Sequence, residues 1–240
     1  MSVERAEDTD ESLLDNPTWH ALTTTLAAFA TGAGHARRMR PDVSAFSAVD
    51  ENTPSAWRDL AALCKPAEVV IVNRVDPIAP TDGWIVHGER PGYQMVYRSG
   101  LDGLAAVTVP DGVRRLADDD VPQMLELIAL TEPGPFRPRT IELGNYHGIF
   151  HGEQLMAMAG QRISLPGFTE ISAVCTHPDA RRRGYAAAIS AVVARRIIDA
   201  DKTPILHVAE NNDNARRVYE NLGFVTRTMM RFAAVQAPPA

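Results

Sequence analysis

The stretch "ARRRGYAAAI", Ala180 to Ile189, sets three arginines against a glycine and runs directly into an alanine-rich helix. A helix start carries partial positive charge and unpaired N–H groups, so cations there are unfavourable unless an anion balances them. Gly184 permits a tight strand-to-helix turn and lets a ligand approach the amides of residues 182–186. An anion of diphosphate size would satisfy both features. A solvated Arg/Gly turn accounts for the composition equally well. Neither GxxxxGK[ST] nor GxGxxG is present.

The segments on either side say what this turn connects. "FTEISAVCT" (168–176) reads as a strand ended by His177-Pro178-Asp179. Upstream, "YHGIF" and "QLMAMAGQRI" complete a three-strand meander through turns at His151-Gly152-Glu153 and Leu165-Pro166-Gly167. Downstream, Ala186, Ile189, Val193 and Ile197 share one helix face. The strand "PILHVA", the helix "NARRVYENL" and the final strand "FVTRTMMRFAAV" follow. This unit starts near Gly112, where "VRRLADDDVPQMLELIAL" predicts a strand and an Asp-capped helix with proline in its first turn. The loop "TEPGPFRPRT", Thr131–Thr140, is too long for a simple connector, and loops of this kind are often functional. The order predicts a mixed, mostly antiparallel α/β sheet.

A smaller α/β half precedes it. "NPTWHALTTTLAAFA" and "TPSAWRDLAAL" have helix caps and early prolines, "EVVIVNR" reads as a buried strand, and "WIVHGERPGYQMVYR" as two more. The predicted organisation is a disordered tail at 1–11, an N-terminal α/β unit at 12–110, a second unit at 111–233 and a tail at 234–240. No internal repeat aligns, and no catalytic motif falls within 1–110, which would serve as scaffold or as one wall of a cleft.

Composition narrows the function classes. Apolar residues at 45% and charged residues at 22% describe an ordinary globular protein. The net charge of −6 argues against general nucleic-acid binding. It is unevenly placed: residues 1–110 carry 9 basic and 15 acidic side chains, and 111–240 carry 15 of each. The two cysteines, Cys64 and Cys175, form no CxxC or zinc pattern, so no metal is expected and a reducing compartment fits best. "MSVERAEDTDE" has no apolar core of a signal peptide, and no apolar run spans a bilayer. The expectation is a cytoplasmic protein without membrane or nucleic-acid partners.

A second motif, "NNDNARRVYENLGF", lies downstream of the first. Ala215, Val218, Tyr219 and Leu222 follow helical spacing, placing Tyr219 on the inward face, and Gly223 ends the helix. With both motifs in view, the chain resembles the GNAT superfamily of acyl-CoA-dependent N-acyltransferases over about residues 112–232. The pyrophosphate signature Q/R-x-x-G-x-G/A is matched by Arg181, Arg182, Arg183, Gly184, Tyr185 and Ala186. The signature Asn-x-x-Ala-x-x-x-Tyr-x-x-x-Gly-Phe is matched by Asn212, Ala215, Tyr219, Gly223 and Phe224. "GFTEISAVCTHPDARRRGYA" also looks like a subgroup related to glycine N-acyltransferases, in which a degenerate half precedes the catalytic one.

The resemblance implies acetyl transfer from acetyl-CoA to a primary amine by direct attack, the acceptor being a small molecule or a peptide. It implies Glu170 as base at the start of the central strand, Val174 as backbone donor to the tetrahedral oxygen, and Thr176 as a backbone contact for the pantetheine arm. Tyr219 would protonate the leaving thiolate, and Asn212 would bind cofactor or cap its helix. The loop Thr131–Thr140 would help form the acceptor pocket, with Arg137 and Arg139 gripping a carboxylate. Two rival readings are a non-catalytic acyl-CoA sensor and a nucleophilic enzyme built on Cys175 and His177. The oligomeric state is left open.

Overall fold

The structure is a computed structural model that describes residues 10–81 and 83–239. Its strands are β1 Ala30–Thr31, β2 Ala36–Met39, β3 Phe46–Val49, β4 Val69–Arg74, β5 Ile85–Tyr97 and β6 Val113–Arg115, then β7 His147–His151, β8 Gln154–Leu165, β9 Phe168–Thr176, β10 Thr203–Ala209 and β11 Phe224–Gln236. The helices are α1 Pro17–Thr23, α2 Pro54–Ala62, α3 Leu101–Ala105, α4 Val121–Thr131, α5 Tyr185–Ile198 and α6 Asp213–Asn221. All strands join one mixed sheet in the order β1-β2-β3-β4-β11-β5-β10-β9-β8-β7-β6.

That order shows that the two halves exchange strands. β5, from the N-terminal half, lies antiparallel between β10 and β11 of the C-terminal half. In return, β11 pairs antiparallel with β4. The same arrangement occurs on both sides of the β5–β11 pair. β3 and β4 are parallel and joined through α2, and β9 and β10 are parallel and joined through α5. A boundary after residue 110 therefore does not divide the sheet.

Several local expectations shift. Of the tail expected at 1–11, residues 1–9 lie outside the described residues. Asp10 accepts a hydrogen bond from Ser12 N at 2.9 Å and opens a tight helical turn at Glu11–Asp15. At the other end, residues 234–236 are strand rather than tail, and Ala237 N donates to Glu68 O at 2.8 Å. α1 stops at Thr23 because the Thr23 and Thr24 hydroxyls donate back to Trp19 O and His20 O, competing with the helix ladder. "WIVHGERPGYQMVYR" forms one long strand, not two. Pro91 is tolerated there because it lies just past the last β5–β10 pair, Ala209↔Gly92, where that side of β5 has no ladder to feed.

α5 packs against the sheet through Ile189, Val193 and Ile197, all buried as their spacing predicts. Ala188, Ala191 and Ala194 are buried beside them, so the helix approaches the strands closely. This fixes the start of α5 over the carboxyl end of β9, where the site lies.

Candidate active site

β9 and β10 pair only from Phe168↔Thr203 to Ile171↔Leu206, and beyond that point no pairing joins them. β9 is also bulged there. Ala173 and Val174 together face a single residue of β8 between the pairs Ser172↔Gly160 and Cys175↔Met158, and Ala173 adopts φ 53°. A left-handed residue other than glycine is costly and persists where the surroundings impose it. The parting strands leave a cleft of about 410 Å³.

The cleft brings together Glu170, Val174, Thr176, Arg181, Ala186, Asn212 and Tyr219. Arg182, Arg183 and Gly184 form the adjoining turn, with both arginines exposed. Tyr185 points elsewhere: its hydroxyl is 2.6 Å from His151 Nε2. Only the Tyr185 backbone remains at the turn.

Gly184 is the cap of α5, at φ 77°, and no side chain caps that helix. Arg182 is left-handed as well, at φ 62°. None of the three arginines forms an ion pair among the described residues. A Cβ added at Gly184 would meet nothing within 4 Å, so the approach to the amides is open. Free amides, three free cations and open space fit a diphosphate. The matching turn before α2 does not fit one. There Thr53 Oγ1 already accepts from Ala56 N at 3.3 Å, and Asp50 and Glu51 supply negative charge.

Tyr219 descends from α6, whose start is capped by Asn212 Oδ1 accepting from Ala215 N at 3.1 Å. Burial, and to a lesser degree the nearby Cys175, push the Tyr219 hydroxyl above its ordinary pKa, so it stays protonated. No protein group among the described residues hydrogen-bonds that hydroxyl.

Glu170, expected as the base, is fully paired by its neighbours. Its Oε2 accepts from Arg162 Nε at 2.9 Å, and its Oε1 accepts from Arg162 Nη2 at 2.6 Å and from His207 Nδ1 at 2.8 Å. Burial alone would raise this carboxyl, but the Arg162 charge and the His207 hydrogen bond outweigh it and bring it down to about 2. A carboxylate so stabilised is a poor proton acceptor. It holds Arg162 and His207 through three hydrogen bonds. Sequence reasoning missed both partners, although His207 is the one ionisable residue in "PILHVA" and Arg162 interrupts a buried strand.

The Cys175–His177 pair that the rival nucleophilic reading requires does not form. Strand β9 ends at Thr176, and His177 turns to accept from Asp179 N through Nδ1 at 3.2 Å. Burial pushes the Cys175 thiol up to about 12, so it carries no thiolate at neutral pH. Arg137 and Arg139 also fail as cleft residues. Arg139 is held outside by Glu142 at 2.8 Å and Asp42 at 2.6 Å, and Arg137 is exposed. Among the described residues no group of His, Cys, Asp and Glu is arranged to hold a metal ion. Among the described residues no helix is long and apolar enough to cross a membrane.

Comparison with known proteins adds to this geometry. A GNAT-family protein from Novosphingobium aromaticivorans is 31% identical, with a TM-score of 0.85 over 95% of this chain and 98% of its own. The chain belongs to the GNAT family. A family model described as FR47-like protein matches residues 146–233, the part that holds both motifs. Two more distant solved structures share the fold. A GCN5-related N-acetyltransferase from Kribbella flavida is 17% identical, with a TM-score of 0.58 over 92% of this chain and 94% of its own. A tandem GNAT protein from the clavulanic acid biosynthesis pathway is 15% identical, with a TM-score of 0.56 over 85% of this chain and 79% of its own. No curated protein matches the sequence. None of these matches carries the narrower likeness to glycine N-acyltransferases. The protein is a GNAT acyltransferase, and the Arg181–Ala186 turn is where its motif and its geometry coincide.

Proposed function

We propose that this GNAT protein transfers an acetyl group from acetyl-CoA to a primary amine in one ternary complex. The observation that supports it most is the pairing of an uncapped, arginine-rich α5 start with a cleft whose far wall presents the Tyr219 hydroxyl. On this reading the CoA diphosphate rests on the amides of residues 184–186 and on Arg181–Arg183. The pantetheine arm runs along Val174 and Thr176 into the opening between β9 and β10.

The thioester carbonyl then lies beside the bulge. The Val174 N–H donates to the oxygen that gains charge as the amine attacks, and such pre-aimed donors are among the largest contributions to acyl transfer. As the C–S bond breaks, the Tyr219 hydroxyl gives its proton to the departing sulfur. Since Glu170 is a weak base, the amine sheds its proton to water in the open cleft, and the rate follows the amine's own ionisation. Glu170, with Arg162 and His207, fixes the wall along which the amine approaches.

A chromatographic assay of a panel of primary amines, for release of free CoA together with N-acetyl product, tests this reading. Equal amounts of both support it. Tight acetyl-CoA binding with no release would instead make the protein a sensor.

A further inference from the structure

A second cavity, of about 530 Å³, opens on the opposite side of the cleft and shares Pro133, Arg162, His207, Val208 and Ala209 with it. It exists only because the halves exchange strands. Phe46 and Ile71 come from the N-terminal half, Phe232 from β11, and Gly88 and Arg90 from β5. Its walls are mostly apolar, with His87, Arg90, Arg162 and His207 as the ionisable groups. The Phe232 ring meets His207 edge-on at 5.3 Å between centroids, and Arg162 lies over the Phe46 ring at 4.5 Å.

Its charge is one-sided. No Asp or Glu lines it among the described residues. Arg162 is neutralised by Glu170, and His87 is hydrogen-bonded to Gln236 at 2.6 Å. Arg90 has no ion pair among the described residues. The cavity is thus a mostly apolar, open chamber with the reaction cleft at one end and an exposed, uncompensated guanidinium at the other.

Register sets its length. His207 faces Gln94 across the β10–β5 ladder, and Arg90 lies four residues further along β5. At ~3.3 Å per residue, that is about 13 Å between the two strand positions. Arg90 is exposed at that end, and a ring-sized body between an amine and an anion matches a span of this order.

Resting on the acyltransferase reading, we propose that the acceptor is an elongated amine with an apolar body and an anionic group at the end remote from the nitrogen. The amine nitrogen meets the thioester beside His207 and Arg162, the body lies against Phe46 and Phe232, and Arg90 binds the anion. The α-carboxylate of an amino acid does not fit this arrangement, since it is bonded to the carbon that bears the nitrogen and cannot reach Arg90. A chamber with a free cation and no free carboxylate also disfavours the ammonium form, which cannot attack.

Calorimetric titration of the CoA-saturated protein tests the proposal, with para-aminomethylbenzoate as probe and para-methylbenzylamine as its neutral counterpart. The carboxylate compound should bind on the order of tenfold or more tightly, as expected for a charge-assisted hydrogen bond. Arg90→Gln should abolish that preference. Because a Cβ at Gly88 meets nothing within 4 Å, Gly88→Leu should fold normally yet weaken both amines by filling the chamber, with CoA affinity unchanged. Equal affinity for the two amines, or a preference that survives Arg90→Gln, overturns the proposal. Arg90-dependent binding without subsequent acetyl transfer would contradict the acyltransferase reading and leave this inference standing. Transfer that ignores Arg90 would do the reverse.

Discussion

Gln94, on a strand of the N-terminal half, donates its side-chain amide to Nε2 of His207 at 3.2 Å. Arg227 Nη1 donates to Gln94 Oε1 at 3.0 Å, which turns the amino group toward His207, and its other hydrogen goes to Leu14 O at 2.9 Å. His207 therefore accepts at Nε2 and donates from Nδ1 to Glu170. The result is a buried row, Arg162–Glu170–His207–Gln94, with one ion pair and two neutral groups, that links the cleft wall to the exchanged strand.

The acid limb of stability follows from that row. The Glu170 carboxyl falls from an ordinary 4.5 to about 2 on folding, so its contribution is complete above about 4.5 and is lost as pH falls toward 2. Glu170→Gln should flatten this acid slope. It should also cost about 3–5 kcal/mol at neutral pH, because Arg162 becomes an unpaired buried charge. Urea denaturation between neutral pH and about 2 reads both effects. An unchanged acid slope would remove Glu170 from the ion pair.

Strand exchange makes a second expectation. A chain without residues 1–110 loses β4 and β5, leaving β10 with an unpaired edge, β11 with no strand partner and Phe224 without its contact to Tyr97. Such a fragment should not fold alone, and co-expressing residues 1–110 should restore it. Circular dichroism and gel filtration decide the matter. A folded, monomeric fragment binding acetyl-CoA at full strength would contradict the shared sheet.

What the sequence disclosed and what it hid differ by range. "RRRGYA" and "NNDNARRVYENLGF" were legible because a turn glycine, a helix face and a cap are set within a few residues, and the structure places them on one cleft. The path of β5 was not legible, since its partners lie more than a hundred residues away and any β-branched or aromatic run could fill that slot. Glu170 stood out as a strand-end carboxylate, but the meaning of that carboxylate depends on Arg162 and His207, brought to it by register alone. The arginines of the Thr131–Thr140 loop misled for the same reason, as Asp42 and Glu142 had already claimed Arg139.

Tyr219→Phe removes one hydroxyl and little volume. If that hydroxyl protonates the thiolate, turnover should drop by about 10²–10⁴-fold. Affinity for acetyl-CoA should stay nearly constant, because the diphosphate site lies on another element. Rapid-quench kinetics of the chemical step with calorimetry alongside separate the two. Undiminished chemistry would return Tyr219 to a packing role.

At Gly184 the substitutions are graded. Gly184→Ala places a side chain at φ 77°, a local strain of ~1–2 kcal/mol, without adding charge. Gly184→Glu adds the same strain and a carboxylate that competes for the free amides. Acetyl-CoA affinity should fall modestly in the first and steeply in the second, and added salt should weaken binding in the wild type. Equal losses in both variants would mean strain alone matters.

The most direct test follows an isotope-labelled acetyl group from acetyl-CoA in the presence of para-aminomethylbenzoate, with the protein and the amine both analysed by mass spectrometry. Direct transfer puts label on the amine nitrogen in amounts equal to the CoA released, with none on Cys175 or any other residue at any time. Label accumulating on the protein, or acetyl-CoA bound and left intact with every amine offered, would contradict it.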